Sequence, residues 1–179
     1  ISFADSGTTV VTTTALTQAR REAAGVSDGV LYGYIAGGYT ASAPVATVNR
    51  ISFADNGTTV ATTTALTQAK YSSAGVSDGT RYGYIAGGTT GAAVATVDRI
   101  SFADNGTTVV TTTALTQARI YVAGVSDGTL YGYIAGGTTG AAVATVNRIS
   151  FADNGTTVVT TTALTQAKYE AAGVSDGAV

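Results

Sequence analysis

Short runs of apolar and β-branched residues alternate with turn-forming residues along this chain. The apolar residues do not recur at the 3.6-residue spacing of an amphipathic helix, and the runs are short enough to be strands. The runs are separated by Asp-Gly, Gly-Gly and Asn-Gly steps, which tolerate the positive φ of tight hairpins. The pattern predicts four strands, and in one of its occurrences they are Ala123–Val125, Leu130–Gly137, Val143–Ala152 and Thr156–Leu164.

This four-strand pattern recurs at a nearly constant interval. The segment Ile-Ser-Phe-Ala-Asp begins at Ile1, Ile51, Ile100 and Ile149, in steps of 50, 49 and 49 residues. Four strands in a repeat of about 40–50 residues are typical of a β-propeller blade. The sequence therefore predicts an all-β fold, a β-propeller of four-stranded antiparallel blades with about 49 residues per repeat.

The repeat divides the 179 residues into three complete units and two partial ones. The chain has no initiating Met, so it is either processed or a window from something longer. The incomplete units favour a part of a longer array or of a ring built from several chains. The predicted blades cover about 19–68, 69–117 and 118–166, with partial blades at 1–18 and 167–179.

Two motifs resemble those of known propeller families. A basic residue precedes the first strand of each unit, and the second strand ends in a double glycine after an aromatic and apolar run. This order resembles the kelch repeat without its tryptophan, and the resemblance implies a β-propeller. The segment Ser52–Thr59 resembles the Asp-box hairpin of sialidase-type propellers, and we interpret it as a structural turn. The basic residues are Arg20, Lys70, Arg119 and Lys168, and the double glycines are Gly37–Gly38, Gly87–Gly88 and Gly136–Gly137.

Composition excludes several classes of activity. The chain has no His, Cys, Met or Trp, which excludes Ser-His-Asp and Cys-His catalysis, disulfides, and thiolate or imidazole metal sites. A net charge of −2 gives no basic footprint for nucleic acid. No apolar run approaches the roughly 18 residues of a membrane span. We therefore expect no enzyme activity, no cofactor, no nucleic-acid partner and no membrane span.

The carboxylates recur in the two hairpins of each unit. We interpret these Asp residues as turn residues that accept hydrogen bonds from nearby backbone N–H groups. A ring of Asp residues that binds Ca²⁺ is the alternative, although each turn offers only one carboxylate. Asn56, Asn105 and Asn154 begin Asn-Gly-Thr glycosylation motifs, which the turn alone also explains. The Asp residues are Asp28, Asp78, Asp127 and Asp176 in the first hairpin, and Asp5, Asp55, Asp104 and Asp153 in the second.

The units differ from one another mainly at three places. Two of them, after the basic residue and after the double glycine, are predicted to lie on one face of a propeller. Tyr and Arg dominate binding hot spots, so this face is a candidate binding surface. The alternative is that the differences are neutral sequence drift at solvent-exposed positions. Its candidate residues are Arg21, Tyr39, Tyr71, Tyr121 and Tyr169.

Two functions agree with these features. The first is a non-enzymatic scaffold that recognises a glycan or a protein, like an adhesin or a phage fibre, and the resemblance implies an extracellular or virion-surface location. The second is a purely structural or designed repeat protein whose role is self-assembly, because unpaired strand edges recruit other chains. Its partner would be a further copy in a homo-oligomer or a continuation of the same array.

Overall fold

The computed structural model describes residues 14–57, 59–173 and 175, which form twelve β-strands and no helix. The strands are β1 (Ala24–Ser27), β2 (Tyr32–Ala36), β3 (Thr47–Ser52), β4 (Val60–Ala65), β5 (Ala74–Ser77), β6 (Tyr82–Ala86), β7 (Val97–Ser101), β8 (Val109–Thr111), β9 (Ala123–Ser126), β10 (Tyr131–Ala135), β11 (Val146–Ser150) and β12 (Val158–Thr160). Each set of four consecutive strands forms one antiparallel sheet, and the strand order in the sheet is the order in the chain.

The all-β prediction and the four antiparallel strands of each unit are therefore confirmed. The three sheets do not close into a ring. In the unit predicted in detail, the second, third and fourth strands are shorter than the predicted runs, whereas the first, Ala123–Ser126, is one residue longer. The run over 130–137 contains β10 only from Tyr131 to Ala135. That strand ends where Gly136 and Gly137 adopt φ angles of 64° and 94°, which do not continue an extended strand.

The hairpin between the third and fourth strands follows the predicted Asn-Gly chemistry. Asn56, Asn105 and Asn154 have φ angles of 55°, 59° and 59°, and the glycine after each also has a positive φ. Asn is one of the few residues that adopts this left-handed region readily. The local sequence thus fixes the turn, and the turn fixes which residues of the two strands are paired.

The apolar core lies between successive sheets. One cluster joins the first sheet to the second, and a second cluster joins the second sheet to the third. The Tyr34 ring of β2 stacks on Phe102 with centroids 5.2 Å apart, and Tyr84 stacks on Phe151 at 5.3 Å. Each stacking pair takes one ring from each of two neighbouring sheets, so a sheet buries its apolar face only against the next one.

The first strands of the three sheets, β1, β5 and β9, lie side by side. Their backbones approach so closely that a Cβ added to Gly75 would lie 2.1 Å from the carbonyl oxygen of Gly25. At Gly124 the added Cβ would lie 2.6 Å from the carbonyl oxygen of Gly75. Glycine at this position of the repeat is therefore a packing requirement between sheets.

We predict that Gly75→Ala lowers the free energy of unfolding by about 1–3 kcal/mol, because the new methyl group meets a backbone carbonyl that has little room to move. Gly25→Ala is the matched control. Its Cβ would meet the Ile35 side chain at 3.6 Å and the Tyr34 carbonyl oxygen at 3.9 Å, both ordinary contacts, because no described sheet precedes the first one. Urea denaturation of the two variants measures the difference, and equal destabilisation would show that the close approach is not required.

Candidate functional site

In each of the three described units, the residue after the basic position lies next to the residue after the double glycine of the same unit. Arg21 and Tyr39 form an isolated antiparallel bridge, in which each backbone N–H donates to the other residue's carbonyl at 3.0 and 2.9 Å. The two variable places of the first unit are therefore neighbours in the structure. The equivalent bridges in the other units are Tyr71 with Thr89 and Ile120 with Thr138.

Three of the five candidate binding residues come together at the junction of the first two units. The rings of Tyr39 and Tyr71 meet edge to face, with centroids 4.9 Å apart and planes at 70°. The Arg21 guanidinium lies over the Tyr39 ring, with its central carbon 4.8 Å from the centroid. We call Arg21, Tyr39 and Tyr71 the aromatic cluster. It combines two π faces, two phenol hydroxyls and one cation, a combination that is enriched in recognition sites.

A carboxylate lies beside the aromatic cluster. The Glu22 carboxylate is 3.4 Å from Nε of Arg21, whose side chain is 66% exposed, and it also accepts a hydrogen bond from the Ser72 hydroxyl. An ion pair this exposed contributes little to stability. The Arg21 donors therefore remain largely accessible to an incoming molecule.

The other two candidates lie elsewhere. Tyr169 holds the same repeat position as Tyr71 and is 54% exposed, while Tyr121 is one position later. Among the described residues, neither has a ring contact with the aromatic cluster. The five candidates therefore do not form a single site.

Tyr121 belongs instead to a column of backbone hydrogen bonds that the sequence analysis did not identify. The Ser72 N–H donates to the Glu22 carbonyl, the Tyr121 N–H to the Ser72 carbonyl, and the Glu170 N–H to the Tyr121 carbonyl, at 3.0 to 3.1 Å. All four residues have φ angles of 54–55°, which is strained for residues other than Gly, Asn or Asp. The column links successive units directly, so these residues hold the sheets together regardless of their side-chain chemistry.

The basic residues at Arg20, Lys70 and Arg119 point into the protein and do not face the candidate surface. The Lys70 ammonium donates to the carbonyls of Ile85 and Thr96 at 3.0 and 3.1 Å and lies 3.0 Å from the Asp98 carboxylate. Arg119 donates to the carbonyls of Gly136, Thr145 and Ile134 and to the side-chain oxygen of Asn147. Both side chains are fully buried. Burial lowers the pKa of Lys70, and the Asp98 carboxylate opposes that shift.

Each of these three cations has a partner on the third strand of its own sheet, which the sequence analysis also missed. Arg20 and Arg119 pair with Asn49 and Asn147, whereas Lys70 pairs with Asp98. The signal was present in the sequence, because the partner changes from Asn to Asp where the cation changes from Arg to Lys. The geometry assigns these residues a structural role.

The Asp residues of the first hairpin act as turn residues, as predicted. One oxygen of Asp28 accepts three backbone N–H groups, from Val30, Leu31 and Tyr32, at 2.8 to 3.0 Å. At Asp127 burial disfavours the charge, but three equivalent backbone hydrogen bonds outweigh it and hold the pKa below its ordinary value. Asp5 and Asp176 lie outside the described residues.

In the described part of the chain, no three acidic residues lie close enough together to hold a metal ion. Those same residues include no helix with the length and hydrophobicity to cross a membrane. No protein-family model and no curated protein matches this chain.

We predict that Lys70→Met costs about 3–5 kcal/mol of unfolding free energy, because it leaves the buried Asp98 carboxylate without a cation. The double variant Lys70→Arg with Asp98→Asn recreates the pair found in the other two sheets, and we expect it to lie within about 1 kcal/mol of wild type. Urea denaturation at neutral pH measures both. A double variant as unstable as Lys70→Met would show that the two pairs are not interchangeable.

Proposed function

We propose that this chain is a non-enzymatic, β-propeller-type scaffold whose aromatic cluster binds a glycan. Three features support the propeller architecture: the repeat, the four-stranded sheets, and the side-by-side packing of β1, β5 and β9. The resemblance to the kelch repeat agrees with it. We also propose an extracellular or virion-surface location, and the same resemblance to the kelch repeat supports it.

One observation carries the binding proposal: of the two junctions between the described sheets, only the first has the aromatic cluster, although the same backbone bridge forms in the second unit. The residue after the double glycine is Tyr39 in the first unit and Thr89 in the second, and both make the same antiparallel bridge. The bridge therefore does not need an aromatic ring. An exposed Arg and two Tyr rings that the fold does not require are available for recognition.

The size of the cluster favours a glycan over a protein partner. Two rings and one guanidinium match one or two sugar rings, whereas a stable protein interface covers about 800 Å² on each partner. A Tyr ring offers an apolar face to the C–H groups of a sugar and a hydroxyl to its polar groups. Arg21 and Glu22 add a donor and an acceptor at the edge of the same surface.

The chain itself supplies residues that make the same backbone bridge without an aromatic ring. Tyr39→Thr introduces the residue found at Thr89, and Tyr71→Ile introduces the residue found at Ile120. On a glycan array, we expect the wild-type chain to bind a defined set of glycans and the double variant Tyr39→Thr with Tyr71→Ile to lose at least about tenfold in affinity.

Leu130→Arg is the matched control for this experiment. Leu130 is exposed at the opposite end of its sheet, and Arg81 holds the equivalent position in the second unit. The control variant should bind as wild type does. A wild-type chain that binds no glycan, or a double variant that binds as well as wild type, would rule the proposal out.

A further inference from the structure

Equivalent residues of the three sheets differ sharply in exposure, and the differences lie at the two outer faces of the array. Phe102 and Phe151 are 5% and 0% exposed because each is stacked on a Tyr ring of the preceding sheet. Phe53 holds the same position in the first sheet and is 43% exposed. The outer face of the first sheet therefore presents a ring that the other two sheets bury.

The third sheet shows the complementary difference. Tyr34 and Tyr84 are fully buried beneath a Phe of the following sheet, whereas Tyr133 is half-buried. Among the described ring contacts, Tyr133 meets only the edge of Tyr131 in its own sheet. This outer face presents a Tyr where the first sheet presents a Phe.

Hydrogen bonds between the sheets follow the same rule. Arg50 and Arg99 each lie over a Tyr ring of their own sheet and donate to the carbonyl of Asn105 or Asn154 in the next sheet. Arg148 lies over Tyr131 in the same way, 4.3 Å from the ring centroid. Within the described residues it has no such carbonyl partner, so a directed donor is left on the third sheet.

A cavity marks the same face of the third sheet. It has a volume of about 300 Å³, with Ala123, Val125, Ala135 and Leu164 on the side of the third sheet and residues 171–173 among the rest of its lining. In the first sheet, the residues equivalent to these four pack around Ile85, which comes from the second strand of the next sheet and is fully buried. Ile35, the equivalent residue of the first sheet, is only half-buried. Its side chain matches the cavity in size and chemistry.

We propose that two copies of this chain associate head to tail, with the first sheet of one copy seated on the third sheet of the other. The contact repeats the junction that joins successive sheets within the chain. Phe53 stacks on Tyr133, Ile35 fills the cavity, and Arg148 donates to the carbonyl of Asn56. This inference goes beyond the proposed glycan site and does not depend on it.

Residues 171–173 lie where the partner's β1 would go, so docking displaces them. A Cβ added to Gly173 would lie 2.1 Å from the Gly124 carbonyl oxygen, the same close approach that β5 makes to β1. The described residues from Ala171 onward belong to no strand, whereas β1 is paired with β2 at four residue pairs. The partner's β1 is therefore the better-supported occupant of that position.

The contact uses two different surfaces, which allows a decisive test by mixing variants. Phe53→Lys blocks one surface and Tyr133→Lys blocks the other. We expect wild type to show concentration-dependent association in sedimentation velocity and each single variant to associate at least about tenfold more weakly. An equimolar mixture of the two variants still has one intact pair of surfaces, so it should form a one-to-one dimer and nothing larger.

Val110→Lys is the control, because Val110 is exposed on the central sheet and should leave association unchanged. The variant Tyr39→Thr with Tyr71→Ile should also associate as wild type, which separates this contact from the glycan site. Thermal unfolding establishes that each variant is folded. If a Lys variant is not folded, the single variant Phe53→Ala replaces Phe53→Lys, and the single variant Tyr133→Ala replaces Tyr133→Lys. A wild-type chain that is monomeric at about 100 µM, or a mixture that forms no dimer, would overturn the proposal.

Discussion

Each sheet in this chain has an apolar face that it buries only by packing against a neighbouring sheet. The stacked rings of Tyr34 and Phe102 show the constraint, because neither sheet contains both members of the pair. In repeat proteins of this kind, stability is the sum of weak units and strong junctions between them. Three further features follow from that constraint. They are the glycine contacts between β1, β5 and β9, the column of backbone hydrogen bonds, and the high exposure of Phe53 relative to Phe102 and Phe151.

Lys70 and Arg119 each connect two sheets at once. The carbonyl of Lys70 accepts the N–H of Gly38 in the first unit, while its ammonium satisfies carbonyls of the second sheet. Buried carbonyls without a partner are costly, so a buried cation in the right place removes several such costs together. The same side chain cannot also serve a ligand, so the glycan site that we propose depends on the accessible Arg21 instead.

The repeat, the sheets and the turns could be predicted from the sequence because their causes are local. The Asn-Gly pair adopts positive φ angles in all three described hairpins, at Asn56, Asn105 and Asn154. The strands follow from the residues between the turns. The aromatic cluster was predicted only in part, since its two Tyr residues come from different units and Tyr121 belongs to the backbone column. The pairing of Lys70 with Asp98 joins residues far apart in the chain, and only the packed structure brings them together.

Native-state hydrogen exchange tests most directly whether the contacts between sheets provide most of the stability of the fold. It is measured for individual amides, at a concentration where the chain is monomeric. The strands β2, β6 and β10 have the same sequence, Tyr-Gly-Tyr-Ile-Ala, but among the three described sheets only that of β6 packs against another described sheet on both faces. The account predicts that the amides of β6 exchange more slowly than their equivalents in β2 and β10. Equal protection of the three strands, or the greatest protection in an outer sheet, would contradict it.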